Sequence, residues 1–496
     1  MHASRTKRER KPAPPSLSVR LAGHVTLQTQ PNGDIAALFY GHFAALGTFS
    51  AAAVDRAQDL RGGLPLAALA SGITDIDKEI ALLVRRLARR GLLEYRLGRS
   101  RSGPDQVVIE PQAAGYWPRT SPLAETDILV MSRFAYLRRR GSDLVLESPR
   151  AEALFRICDP KIAAFLALLT APQTVKKLRR HAGFPGVALL GLLVDCRILF
   201  KVDAIKDAGL RPTEGDESLV LWDFHDLLFH ARSTEGRHAN PLGGICPYSG
   251  IVPPLPAVRP RWPGETIELA KFSGDFTAAE KQTNLPLAGI LRERHSVRSF
   301  DEHNPITAAE LSRFLDGAAR VQSEWTGTLD LGDGDSTPPI AYTTRPYPSG
   351  GSCHALELYL AVDKCQGLDR GFYHYDAGGH ALAPIEVRAS DFEAFLKSAE
   401  FAMGASATPQ ILITMAARFG RVSWKYSAIA YSLILKDVGV LTQTFYMIAT
   451  DMGLGGCAIG SINIDLFARM TGLEFYVEGA VGQFALGRAA TSAAPS

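Results

Sequence analysis

The sequence predicts an α+β protein: a C-terminal core of mixed sheet and long buried helices, preceded by two winged-helix-like units. Three observations carry that expectation. Residues 421–460 read as one long apolar helix, entered through the adjacent pair Lys425-Tyr426 and stopped by a glycine cluster. Largely apolar strand-like runs such as LELYLAV lie upstream of it. In the first 205 residues, the order hairpin, helix, turn, helix, strand occurs twice.

The long helix is called by its period. Ala428, Tyr431, Leu435, Val438, Leu441, Phe445 and Ile448 recur at three- and four-residue steps without an intervening proline. Gly453 stands where a C-terminal stop belongs, and Gly455-Gly456 lets backbone approach a flat or charged group closely. Lys436-Asp437 interrupts the apolar run, which excludes a membrane span for this segment. A basic residue and a phenol at the entrance, with a glycine loop at the exit, suit a cofactor site or simply a core helix.

Composition bounds the classes. With 496 residues the chain can hold two to four cores, and 46% hydrophobic with 21% charged residues is globular. A net charge of +3 demands no polyanionic partner. Six cysteines without a CxxC pair argue against structural zinc or a disulfide framework and fit a reducing, cytoplasmic compartment. The basic N-terminus lacks an apolar run behind it, so 1–15 read as a disordered tail and not a secretory signal.

The first unit spans 16–115. VTLQT and DIAALFY flank Pro31-Asn32-Gly33, a hairpin turn, and Thr74 with Asp77 forms a capping box before the stripe Ile76, Ile80, Leu83, Leu87. Gly91 ends that helix and a strand follows. The second unit spans 120–205, with a hairpin turning near Gly141-Ser142 and Leu193, Ile198, Leu199 and Phe200 in the places of Leu87 to Glu94. Arg85, Arg86, Arg89 and Arg90 could contact phosphates or form a solvated face; an extended peptide adding to an open sheet edge is the reading favoured here. Residues 206–285 are rich in proline and glycine and read as a linker region. Its His225, His230 and His238 are spaced poorly for a metal, and none is assigned.

Residues 286–496 hold the chemistry. Arg294, Ser296 and Arg298 alternate, so in extended chain they project to one side, as either a phosphate grip or a charged edge strand. Thr307 with Glu310 forms a second capping box. Pro348-Ser349-Gly350-Gly351 is a tight turn before LELYLAV, without the GxGxxG order of a dinucleotide fold.

In that order, RHSVRSF (294–300), RPYPSGG (345–351), the Trp424-Lys425-Tyr426 entrance and GLGGCAIG (453–460) resemble the flavin-dependent nitroreductase fold. More narrowly they resemble its SagB-type azoline dehydrogenase branch, the thiazole/oxazole dehydrogenases of ribosomal peptide natural products. The resemblance covers about 286–490, and WDFHDLLFHARS with the upstream units is similar to longer members. It implies an FMN cofactor. Arg294, His295, Ser296 and Arg298 match the phosphate and ribityl motif, Ser349, Gly350 and Gly351 the flavin-contacting turn, and Gly455 and Gly456 the loop beside the ring. Arg488 matches a C-terminal phosphate ligand, and Lys425 and Tyr426 the catalytic pair. It also implies an azoline-containing precursor peptide as substrate, a homodimer and a cyclodehydratase partner. Ser352-Cys353-His354 departs from the family pattern, which bears on substrate size.

The implied reaction removes an α-proton and a hydride from the azoline ring. Lysine and tyrosine near pKa 10 are poor bases at neutral pH, but a helix N-terminus favours a phenolate and disfavours an ammonium. Two further readings stand beside this one: an NAD(P)H-dependent nitro or quinone reductase, and a non-catalytic winged-helix protein binding peptide or nucleic acid.

Overall fold

The computed structural model describes residues 16–30, 34–39, 42–71, 74–98, 103–113, 115–202, 219, 223–232, 246–272, 286–332, 335–426 and 429–490. The tail 1–15, the turn Pro31-Asn32-Gly33, His238 and Ala428 lie outside the described residues. The chain divides into two units, Met1–Leu242 and Gly243–Ser496. None of the described helices is long and apolar enough to cross a membrane.

The first unit repeats one element order. Strand Ser16–Leu21 leads into a three-stranded meander ending at His42–Thr48, then helix Ala51–Ala57, the short strand Leu64–Pro65, helices Leu66–Ser71 and Asp75–Arg89, and strand Leu93–Gly98. From strand Ile128–Met131 the same sequence of elements runs again to Leu199–Val202. In each copy the leading strand is sandwiched between the short strand and the last one. Each copy also carries a third meander strand beyond the expected hairpin. Strand Asp105–Pro111 pairs with both Leu93–Gly98 and Ala153–Ile157, so one seven-stranded sheet runs through both copies. A single core from Val19 to Leu199 follows from that continuity.

Local chemistry explains the helix of the first copy. Thr74 and Asp77 make the reciprocal capping box, and Ile80, Leu83 and Leu87 are buried. Ile76, the first residue of the expected stripe, stays 38% exposed because it sits in the opening turn. Gly91, at φ +66°, lets the chain leave the helix without a Cβ clash.

The second unit is a seven-stranded sheet in the order Ile267–Glu268, Ala381–Ile385, Gly371–Asp376, Leu356–Val362, Ile411–Arg418, Glu478–Gly487, Gly455–Ile459. Its ladders are antiparallel, and a parallel bridge joins Ser296 to Gly456 at its edge. Helices cover both faces, so the central strands are buried on both sides and read as largely apolar runs. Leu356, Leu358 and Leu360 pack with helices Ala308–Ala319 and Ala430–Asp451, while Tyr359 and Ala361 face helices Ala389–Met403 and Ile464–Thr471.

Two expectations change here. The long helix does not begin at Arg421: a short helix, Phe419–Ser423, precedes it, and Lys425-Tyr426 occupy the break before Ala430–Asp451. The buried stripe accordingly runs through Ala430, Ile434, Asp437, Leu441 and Phe445, leaving Tyr431 46% and Leu435 37% exposed. Gly453, at φ +66°, does close the helix. The second change is that residues 246–272 are no free linker. Cys246, Ala257 and Leu269 are buried, and Arg421 and Arg418 donate to the carbonyls of Leu255 and Pro256. Proline and glycine here mark an extended strap pinned by buried guanidiniums.

Candidate active site

The helix Ala430–Asp451 anchors the site at two points. Near its start, Asp437 reaches the Ser349 turn: Ser349 Oγ donates to its carboxylate at 2.5 Å and the Gly350 N–H donates at 3.2 Å. Burial pushes the Asp437 carboxyl up from its ordinary range, and those two donors pull it back. Ser349 Oγ also accepts the His354 N–H at 2.9 Å, closing the turn from the other side.

About 13 Å further along the axis, at ~1.5 Å per residue, stands Tyr446 on the same helix. Its hydroxyl bonds Ser296 Oγ at 2.9 Å and accepts the Ala458 N–H at 2.8 Å. The Arg294 guanidinium lies 5.0 Å from its ring centroid. One phenol therefore fixes both the Arg294–Arg298 segment and strand Gly455–Ile459. Tyr446→Phe removes both bonds from a buried hydroxyl and should cost about 1–2 kcal/mol, read as a lower urea midpoint at unchanged slope.

The arginines differ in state. Among the described residues Arg294 and Arg298 have no carboxylate partner. Arg488 does: its guanidinium meets both oxygens of Glu310 at 2.8 Å, and Glu310 is also the capping carboxylate of helix Ala308–Ala319. Arg488 lies beside the 294–300 segment, since the Asp301 N–H donates to its carbonyl at 2.9 Å. Its charge, however, is already neutralised. His295 is exposed, with Nδ1 2.8 Å from the Glu293 carbonyl.

Gly455 and Gly456 are not in a loop; they open the edge strand Gly455–Ile459. A Cβ at Gly456 would lie 2.2 Å from the Phe484 ring, and one at Gly455 2.8 Å from Val297 Cβ. The close approach that requires glycine is to the protein's own side chains.

Lys425 and Tyr426 converge on the other glycine turn. Lys425 Nζ donates to the Gly351 carbonyl at 3.3 Å. Gly351 has φ +61°, and a Cβ there would come within 2.3 Å of the Tyr426 hydroxyl and 2.9 Å of Lys425 Nζ. Adjacent residues of a regular helix point apart; here the break between two helices lets both reach one turn. Lys425 Nζ stands 5.3 Å from the Tyr342 ring centroid and 5.5 Å from that of Tyr426. No carboxylate pairs with it among the described residues. Burial pushes the Tyr426 hydroxyl above its ordinary pKa, with Cys353 and Tyr342 adding to the rise. That reverses the phenolate expected from a helix N-terminus, because Tyr426 precedes the helix and is partly desolvated.

Arg421 locks this corner, a role its sequence position does not announce. It is 4% exposed and donates to three carbonyls: Cys353 at 3.1 Å, Leu255 at 2.7 Å and Ala341 at 3.0 Å. Trp424 Nε1 bonds the Val252 carbonyl at 2.6 Å, and the Cys246 N–H donates to Lys425 O at 3.1 Å. The strap thus backs the Lys425 segment. His354, at φ +40°, is held neutral by burial and by Arg345 and Arg421, its pKa lowered to about 4.

Residues 291–488 match the model of the nitroreductase family, and residues 129–239 match that of the cyanobactin oxidase ThcOx. A protein assigned as a nitroreductase in Methanocaldococcus jannaschii is 28% identical over 177 residues, 36% of this chain and 79% of its own length. The trifolitoxin-processing protein TfxB of Rhizobium leguminosarum bv. trifolii is 25% identical over 147 residues, 29% of this chain and 39% of that protein. Among solved structures, a chain of the Escherichia coli microcin synthetase McbBCD complex with truncated pro-MccB17 bound is 18% identical. It covers 46% of this chain and 85% of its own, with a TM-score of 0.33. The chain is an oxidoreductase whose residues 291–488 match the nitroreductase family and whose residues 129–239 match the cyanobactin oxidase ThcOx.

Proposed function

We propose that the protein is an FMN-dependent dehydrogenase that oxidises azoline rings of a ribosomal precursor peptide to azoles, with oxygen as final acceptor. The observation that carries this reading is the convergence of Lys425 Nζ and the Tyr426 hydroxyl on the Gly351 turn. A ThcOx-like segment and a TfxB-like relative favour a peptide substrate.

FMN suits the residues present. Arg294 and Arg298 offer two guanidiniums without carboxylates near the Tyr446 end of the helix, fit for a dianionic phosphate. The Ser349–Gly351 turn at the other end brings a positive-φ glycine against Lys425 and Tyr426, where the reactive ring of the cofactor would lie. FMN supplies the hydride acceptor that no side chain can provide.

The chain's own residues would divide the proton chemistry. Lys425 Nζ takes the α-proton of the ring. Tyr426, kept protonated by its raised pKa, donates a hydrogen bond to the ring heteroatom or carbonyl. Asp437 and Arg421 hold the turn and the strap so that both groups keep their aim. Contacts with an upstream cyclodehydratase, a homodimer and precursor binding by the first unit belong to the same proposal.

Replacing Arg294 or Arg298 by alanine should weaken FMN binding by about 1.5–3 kcal/mol, the size of a charge-assisted hydrogen bond. Arg488→Ala, whose partner is Glu310, should affect thermal stability more than flavin occupancy. Flavin-to-protein ratios and melting curves of the three variants check this. The function itself is tested by incubating protein, FMN and a thiazoline peptide in air without NAD(P)H. Loss of two hydrogens by mass supports it. Turnover only with NAD(P)H and a nitroarene would favour the reductase reading, to which the M. jannaschii relative points.

A further inference from the structure

Between helix Ala308–Ala319 and the Ser349 turn the chain inserts a two-stranded sheet, Ser323–Gly327 paired with Ile340–Thr344, outside the main sheet. Trp325 and Tyr342 are direct cross-strand partners, so their side chains share one face. Their rings stack, with centroids 5.4 Å apart and planes 20° from parallel. The two rings have opposite surroundings. Tyr342 is 7% exposed, packed in a small cluster with Cys246, Ile340 and Trp424, and borders Lys425 Nζ at 5.3 Å. Trp325 is 43% exposed and belongs to no core cluster. A tryptophan held flat by a buried tyrosine, with area left open to solvent, is poor core and good platform.

Position gives the platform its meaning. Tyr342 stacks on Trp325 and also borders Lys425 Nζ at 5.3 Å, so a single residue joins the platform to the proposed base. An extended peptide advances about 3.3 Å per residue. A side chain or ring two or three residues from the reacting azoline is therefore within reach of Trp325 when the reacting ring is at Lys425.

We propose that Trp325, backed by Tyr342, is a substrate subsite that takes a planar ring of the same peptide, an azole already formed or an aromatic side chain, two or three residues from the ring being oxidised. This rests on the azoline reading above and specifies which peptides the site prefers. Stacking on an indole is sequence-tolerant, so the subsite selects flatness, and a finished azole satisfies it better than the puckered azoline that precedes it. A peptide with several rings then binds more tightly as its oxidation proceeds.

Two synthetic peptides test this: one with a single thiazoline, and one identical but with a thiazole two residues away. In the parent protein the two-ring peptide should show a KM lower by about two- to tenfold, the value of an aromatic stack. Trp325→Ala should erase that ratio, with the change in KM and not in kcat, and Trp325→Phe should restore most of it. A ratio that survives Trp325→Ala, or a parent protein that treats the peptides alike, overturns the subsite. If the parent protein oxidises neither peptide, the azoline reading fails on its own. Calorimetric Kd values for the same two peptides, with and without Trp325, then decide the subsite separately: a thiazole-dependent difference lost in Trp325→Ala upholds it, and equal Kd values overturn it.

Discussion

Lys425→Ala should stay yellow, keep its fold and oxidise azoline about 10²- to 10⁴-fold more slowly, the usual loss for a positioned base. That corresponds to roughly 3–5 kcal/mol of barrier. The Lys425 side chain makes one hydrogen bond, to the Gly351 carbonyl, and no ion pair among the described residues, so little of the fold depends on it. Tyr426→Phe should lose less, because the hydroxyl is pushed toward its neutral form and acts as a hydrogen-bond donor. Ionisation of Tyr426 should produce no falling limb near pH 10, since its pKa lies above the ordinary value. Stopped-flow flavin reduction by a thiazoline peptide across pH measures both effects.

The second large effect is structural. Arg421→Met removes a buried guanidinium that ties the Cys353 turn, the Leu255 strap and the Ala341 strand together. The cation has no carboxylate, and burial lowers its pKa, so some desolvation cost is relieved by the change. Three carbonyls left without their donor outweigh that relief, at roughly 1–3 kcal/mol for each unsatisfied group and with incomplete additivity. A net loss of about 3 kcal/mol is expected, or roughly 6–12 °C in Tm for a domain of this size. Lysine cannot span three acceptors, so Arg421→Lys should rescue little. Differential scanning calorimetry of the two variants checks this.

The capping boxes, the central strands and the repeat of elements in the first unit are legible in the sequence because each rests on local rules. Thr74-Asp77 and Thr307-Glu310 show this for the caps. What escaped depends on tertiary packing. That Lys425-Tyr426 leave regular helix follows from the rule that adjacent helical residues point apart, whereas the place of the break rests on tertiary ties such as those of Arg421 and Trp424. Asp437 and Tyr446, the two anchors of the site, look in the sequence like an interruption and a core phenol. A carboxylate inside an apolar helix was the available signal, since buried charges need partners. Gly455 and Gly456 read in the sequence as a ligand loop, and the close approach of Val297 and Phe484 to them is a packing demand that only the tertiary structure reveals. The strap 246–272 is disguised by composition, because proline and glycine suit a pinned extended chain as well as a free one.

The central claim is that Lys425 and Tyr426 serve oxidation of an azoline by bound FMN. Its most direct test is anaerobic single turnover of the flavin-loaded protein with one equivalent of thiazoline peptide and no NAD(P)H. The account predicts bleaching of the flavin absorbance together with stoichiometric thiazole, fast in the parent protein and slowed by about 10² or more in Lys425→Ala. Flavin that stays oxidised with the peptide but is bleached at once by NAD(P)H, or bleaching by peptide at the same rate in Lys425→Ala, would contradict it.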